Sequence, residues 1–72
     1  MINIQALKEG SIVRILVDKE THALKAGDTL RVVKVGYSGW DRCYYADMKT
    51  DKDYPLDIYG CKDDYKYYEL VC

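Results

Sequence analysis

The side chains of this chain that could do chemistry are three cysteines, one histidine and a run of aspartates. Cys43, Cys61 and Cys72 could serve as nucleophiles, metal ligands or disulfide partners. No two of them form a C-x-x-C pair, so neither a zinc ribbon nor a full disulfide framework is indicated. A thiol nucleophile needs a base beside it. His22 stands in a loop with Glu20 and Thr21, and nothing in the sequence brings it to Cys43 or Cys61. Asp47, Asp51, Asp53, Asp57, Asp63 and Asp64 offer the oxygen ligands that calcium or magnesium takes. However, Asp51-Lys52-Asp53 lacks the glycine and the closing glutamate of an EF-hand, and reads as a solvated turn. Gly36-Tyr37-Ser38-Gly39-Trp40 has none of the G-x-x-x-x-G-K-[ST] pattern of a phosphate loop. The expectation is a protein with no catalytic site, no metal and no cofactor.

The aromatic content points elsewhere. There are eight Tyr, one Trp and no Phe. A core accepts Phe as readily as Tyr, whereas a phenol hydroxyl needs water or a partner, so this bias predicts half-exposed rings. A Tyr and a Trp flanked by Gly36 and Gly39 on a hairpin tip fit contact with a partner, because interface anchors are rich in Trp, Tyr and Arg. The alternative is that Trp40 folds down as a lid on one end of the molecule. The candidate protein-binding residues are Tyr37, Trp40, Tyr44, Tyr45, Tyr54 and Tyr59.

Charge narrows the partner. The net charge of −1 opposes a simple electrostatic grip on nucleic acid, which rests on Lys and Arg neutralising phosphates. Residues 1–36 carry six Lys or Arg against four acids, and residues 37–72 carry five against eight. The acidic second half favours a protein partner with a basic surface. The weaker alternative is a nucleic-acid site in which bases stack on aromatics and Arg14, Lys19, Lys25, Arg31, Lys34 and Arg42 meet the phosphates.

These side chains need a scaffold, and 72 residues supply a single core, so residues 1–72 are read as one domain. Ser11 to Lys19 is a β-branched run with Val13, Ile15 and Val17 on one face, and Thr29 to Val35 is a second. Ala6-Leu7-Lys8-Glu9-Gly10 before the first run is echoed by Ala23-Leu24-Lys25-Ala26-Gly27 before the second. This predicts one turn used twice, with a glycine at positive φ each time. The segment Glu20–Leu24 is long for a hairpin loop and is expected to fold back over the core. A third strand is expected within Asp41–Met48. Tyr54 to Tyr59 is placed at an edge by Pro55, and Tyr65 to Val71 is expected to close the fold. No segment carries a helical stripe of useful length. The predicted fold is all-β, a small five-stranded barrel with a long loop between strands 1 and 2.

Gly10-x-x-Val13-x-Ile15, then Leu24-x-x-Gly27-Asp28-x-Leu30-x-Val32-Val33, and the terminal Tyr67-Tyr68-Glu69-Leu70-Val71, resemble the pattern of SH3-like and KOW-type barrels. Small uncharacterised bacteriophage proteins show a similar pattern. The resemblance implies an SH3-like fold and a non-catalytic protein-binding module that docks on and modulates a host or defence protein. The KOW likeness implies the nucleic-acid alternative. The acidic-aromatic opening of eukaryotic signalling SH3 domains is missing, so the resemblance does not extend to proline-rich peptides. Met1-Ile2-Asn3-Ile4-Gln5 lacks the basic start and long apolar run of a signal peptide, and unpaired thiols fit a reducing compartment. The expected location is the cytoplasm, with no membrane association.

Overall fold

The computed structural model describes residues 2–72, with the side chains of Asp63 and Asp64 outside it. Five strands form one antiparallel sheet: β1 (Ile12–Ile15), β2 (Thr29–Ser38), β3 (Cys43–Lys49), β4 (Pro55–Tyr59) and β5 (Tyr68–Leu70). Their spatial order is β4-β3-β2-β1-β5. Short 3-10 turns at Ile4–Ala6, Glu20–His22 and Asp63–Tyr67 are the only helical pieces among the described residues. None is long and apolar enough to cross a membrane.

The sheet bends round a single core. Val13 and Ile15 of β1, Leu30 and Val32 of β2, Ala46 and Met48 of β3, Leu56 and Ile58 of β4, and Tyr68 of β5 are all buried in one cluster. Alternate residues on every strand therefore face inward, as the period of two requires. Ile2, Ile4 and Leu7 from the amino-terminal segment and Leu24 from the long loop complete the cluster. The bend falls in β2, where the register shifts between Val32 and Lys34 and leaves Val33 as a bulge. A bulge adds twist, which lets the front of β2 pair with β1 while the rest pairs with β3. The order of strands runs from β4 to β5 without pairing those two ends, so the curled sheet is not closed by hydrogen bonds.

The repeated turn is present twice. Gly10 and Gly27 have φ of 92° and 98°, conformations that cost little only for glycine. Ser11 N–H donates to Lys8 O and Asp28 N–H to Lys25 O. In return the Ser11 Oγ and Asp28 Oδ2 side-chain oxygens accept from the Lys8 and Lys25 N–H groups, at 3.1 and 2.9 Å. Replacing either glycine with alanine should cost about 1–2 kcal/mol, read as a lower urea midpoint with an unchanged slope.

Several predicted boundaries shift. The first strand ends at Ile15, and Leu16 and Val17 are exposed rather than continuing the inward face. The second runs past its predicted end through Gly36 to Ser38, because Gly36 is covered rather than turned. A Cβ there would meet the Tyr45 hydroxyl at 2.7 Å, so the ring of Tyr45 lies across the bare backbone. The closing strand is only Tyr68–Leu70, and the residues before it form a 3-10 turn. The third strand runs one residue past its expected end, to Lys49. Pro55 opens an end strand as expected, and the long loop folds back, held by a Lys19–Leu24 bridge with Leu24 buried.

Candidate functional site

The β2–β3 hairpin turns over Gly39–Arg42. Arg42 takes a left-handed φ of 57° and donates its N–H to Ser38 O at 2.7 Å. The Asp41 N–H donates to Ser38 Oγ, and that hydroxyl donates to the Asp41 carboxylate, both at 3.1 Å. These bonds fix the loop and leave Trp40 at its tip, 95 % exposed. The lid arrangement is therefore overturned: in a loop this short the indole points away from the core.

Alternation along β3 divides the tyrosines. Tyr44 shares the inward face of Ala46 and Met48 but lies beyond the core, where it meets its cross-strand partner Tyr37 edge-on at 5.1 Å. These two half-exposed rings stand over a groove of about 410 Å³, with Ile4, Arg42, Cys43, Gly60 and Tyr65 among its other walls. Tyr45 points to the outer face of the sheet and packs on Tyr59 of β4, with ring centroids 5.8 Å apart. Tyr54 is exposed at the far end of β3, beside His22 and Leu24. The six predicted aromatics thus form the exposed Trp40 tip, a groove pair just behind it, an outer pair one step further along the ladder on the opposite face, and one distant ring.

The outer face of the β3–β4 ribbon has a pattern the sequence reading did not single out. Gly60 N–H donates to Tyr44 O at 2.8 Å, which makes Tyr44 and Gly60 a hydrogen-bonded pair. The antiparallel alternation then makes Tyr45–Tyr59 and Asp47–Asp57 non-hydrogen-bonded pairs, whose side chains approach most closely. One step beyond the ladder, the same register sets Cys43 opposite Cys61, whose Sγ atoms are 2.8 Å apart. Cysteine, tyrosine and aspartate each face their own kind. The signal was available: C-x-Y-x-D at 43–47 is reversed as D-x-Y-x-C at 57–61.

Like facing like has electrostatic consequences. Burial raises the pKa of Asp57 above 3.8, and a hydrogen bond shared with Asp47 and that neighbour's negative charge raise it further. Burial also raises the Tyr59 pKa, with Asp57, Asp41, Asp47 and Tyr45 adding to the effect. The Lys62 ammonium sits 5.0 Å from the Tyr59 ring centroid. Three carboxylates thus bear on one aromatic pair, and Asp41 links them to the Trp40 loop. A carboxyl with a raised folded-state pKa weakens the fold at neutral pH, and this penalty fades as the pH falls through that pKa and on below 3.8. Asp57→Asn should accordingly stabilise the protein by about 0.5 kcal/mol at pH 7. The gain should vanish below the ordinary carboxyl range, as read by urea titrations at both pH values.

The basic residues are dispersed. Arg14, Arg31 and Lys34 are exposed on the outer face of β1 and β2. Arg14 is paired with Glu69 at 2.7 Å, and Lys34 faces Asp47 across the ladder. Lys19 and Lys25 lie in the long loop, and Arg42 lines the groove. His22 bonds Thr21 at 3.0 Å beside the Thr50–Tyr54 turn. It is a strand length from Cys43, ~20 Å for seven residues. Asp51 and Asp53 are in that turn, and the side chains of Asp63 and Asp64 lie outside the described residues. No family model, curated protein or solved structure matches the chain. The fold therefore stands on its own topology.

Proposed function

We propose that this chain is a non-catalytic, protein-binding module on an SH3-like barrel. It docks a basic protein surface along the outer β3–β4 face, from Trp40 through Tyr59 and Tyr45 to Asp47 and Asp57. The observation that carries this reading is Trp40, 95 % exposed at the tip of the hairpin whose outer face carries the Tyr45–Tyr59 pair, with Asp41, Asp47 and Asp57 all acting on Tyr59. A large apolar ring held wholly in water by a fixed loop loses little conformational entropy when it is buried by a partner. The carboxylates beside it favour approach by Lys and Arg. The strand order with a 3-10 turn before the last strand supports the SH3-like assignment. The likeness to small bacteriophage proteins extends the proposal to a host or defence protein as partner, met in the cytoplasm.

A second reading is a KOW-like nucleic-acid surface, favoured by Arg14, Arg31 and Lys34 sharing the outer face of β1 and β2. Interleaving with Glu69 and Asp47 ranks it second. The test is capture by tagged protein from host lysate, with and without nuclease. A nuclease-resistant protein held by the native chain and lost by Trp40→Ala supports docking. Captured material that disappears with nuclease moves the nucleic-acid reading to first place.

A further inference from the structure

Beyond docking, we infer that Cys43 and Cys61 form a redox-active dithiol that closes to a disulfide across the β3–β4 ribbon. The register carries the argument. Cys43 and Cys61 continue the Tyr45–Tyr59 and Asp47–Asp57 series as a directly opposed, non-hydrogen-bonded pair. Such positions have Cα atoms about 4.5 Å apart, inside the span that a disulfide bridges. The side chains already point at each other, with sulfurs 2.8 Å apart. The Gly60 N–H bond to Tyr44 O holds the backbone just before Cys61, so little movement is needed. Cys61 is exposed and Cys43 half-buried, which gives a small oxidant access. Cys72 is tied to the other end of the sheet, where its carbonyl accepts the Ile12 N–H, and it takes no part.

The oxidant is a low-molecular-mass disulfide such as glutathione disulfide. One cysteine thiolate attacks it, forms a mixed disulfide and expels one glutathione thiolate. The second cysteine thiolate then attacks the protein sulfur of that mixed disulfide and expels the other. Two protein thiols are oxidised, one glutathione disulfide is reduced to two thiols, and the two protein protons pass to the released thiolates. The shared thiol contact and burial raise the Cys61 pKa, so the reaction should quicken as the pH rises.

The test is equilibration of the intact protein in glutathione buffers, followed by thiol titration and peptide mapping. The expected product has lost two of its three thiols, weighs two hydrogen atoms less, and yields one linked peptide joining residues 43 and 61. Cys72→Ser should behave identically. Cys61→Ser should give no internal link and a glutathione adduct instead. In urea the oxidised fraction of the native chain should fall ~10-fold or more at the same buffer ratio, because the sheet supplies the effective concentration. Retention of all three thiols, links through Cys72, or stable adducts on both Cys43 and Cys61 would overturn the inference.

Discussion

Trp40→Ala should leave the unfolding curve where it is and weaken partner binding by ~30-fold or more. The two halves of this result have separate causes. The indole touches none of the core and is 95 % exposed, so its loss removes no folded-state burial, and surface changes of this kind stay within about 0.5 kcal/mol. On the proposed partner the same ring would be buried as an apolar anchor. Central Trp anchors typically contribute about 2 kcal/mol or more. Isothermal titration and thermal melts of both proteins check the two halves independently. A Trp40→Ala protein that binds as well as the native chain would remove the hairpin tip from the interface, and a large loss of stability would restore a structural role.

The largest stability effect is expected at Tyr68. It is the bulkiest of the fully buried side chains and belongs to the shortest strand, β5, which is joined to the sheet through β1. Truncation to alanine should cost about 4 kcal/mol, the transfer term plus the cavity left behind. For 72 residues, total stability of about 4–11 kcal/mol is typical, so the variant should lose a large share of its stability and unfold at a much lower denaturant concentration. Leu70→Ala, two residues on and half exposed, should cost under about 1 kcal/mol. Guanidinium unfolding of the pair separates the buried from the half-exposed position on the same face of β5. Equal costs for the two would contradict the strand's placement.

Much of the scaffold was legible because local chemistry dictated it. The β-branched residues around Val13, Ile15, Leu30 and Val32 mark inward faces of strands, the Gly10 and Gly27 turns mark their entries, and Pro55 marks an end strand. What local chemistry could not give was pairing. Leu16 and Val17 look like continuing strand, yet β1 ends at Ile15 and both side chains are exposed, although the Leu16 N–H still donates to Tyr67 O. Gly36 looks like a turn until Tyr45, a residue of another strand, covers it. The site suffered from the same gap. Tyr44 and Tyr45 read as one cluster in sequence, yet adjacent strand residues point to opposite faces, and they belong to different surfaces. The mirrored C-x-Y-x-D and D-x-Y-x-C segments acquire meaning only once the register sets them opposite each other.

The open sheet has a further consequence at β4, the strand that ends the order. A terminal strand is a template on which another chain can add itself. Here Pro55 contributes no N–H to such an addition, and Asp57 in the middle of the strand would bring carboxylates of two copies together. Asp57 guards solubility as well as taxing the fold. Its raised pKa means the guard is discharged at a milder acidity than for an ordinary aspartate. Acidified solutions should therefore relieve the Asp47–Asp57 repulsion within the fold and at the same time leave β4 readier to stack edge to edge, so a concentrated sample is safest near neutrality.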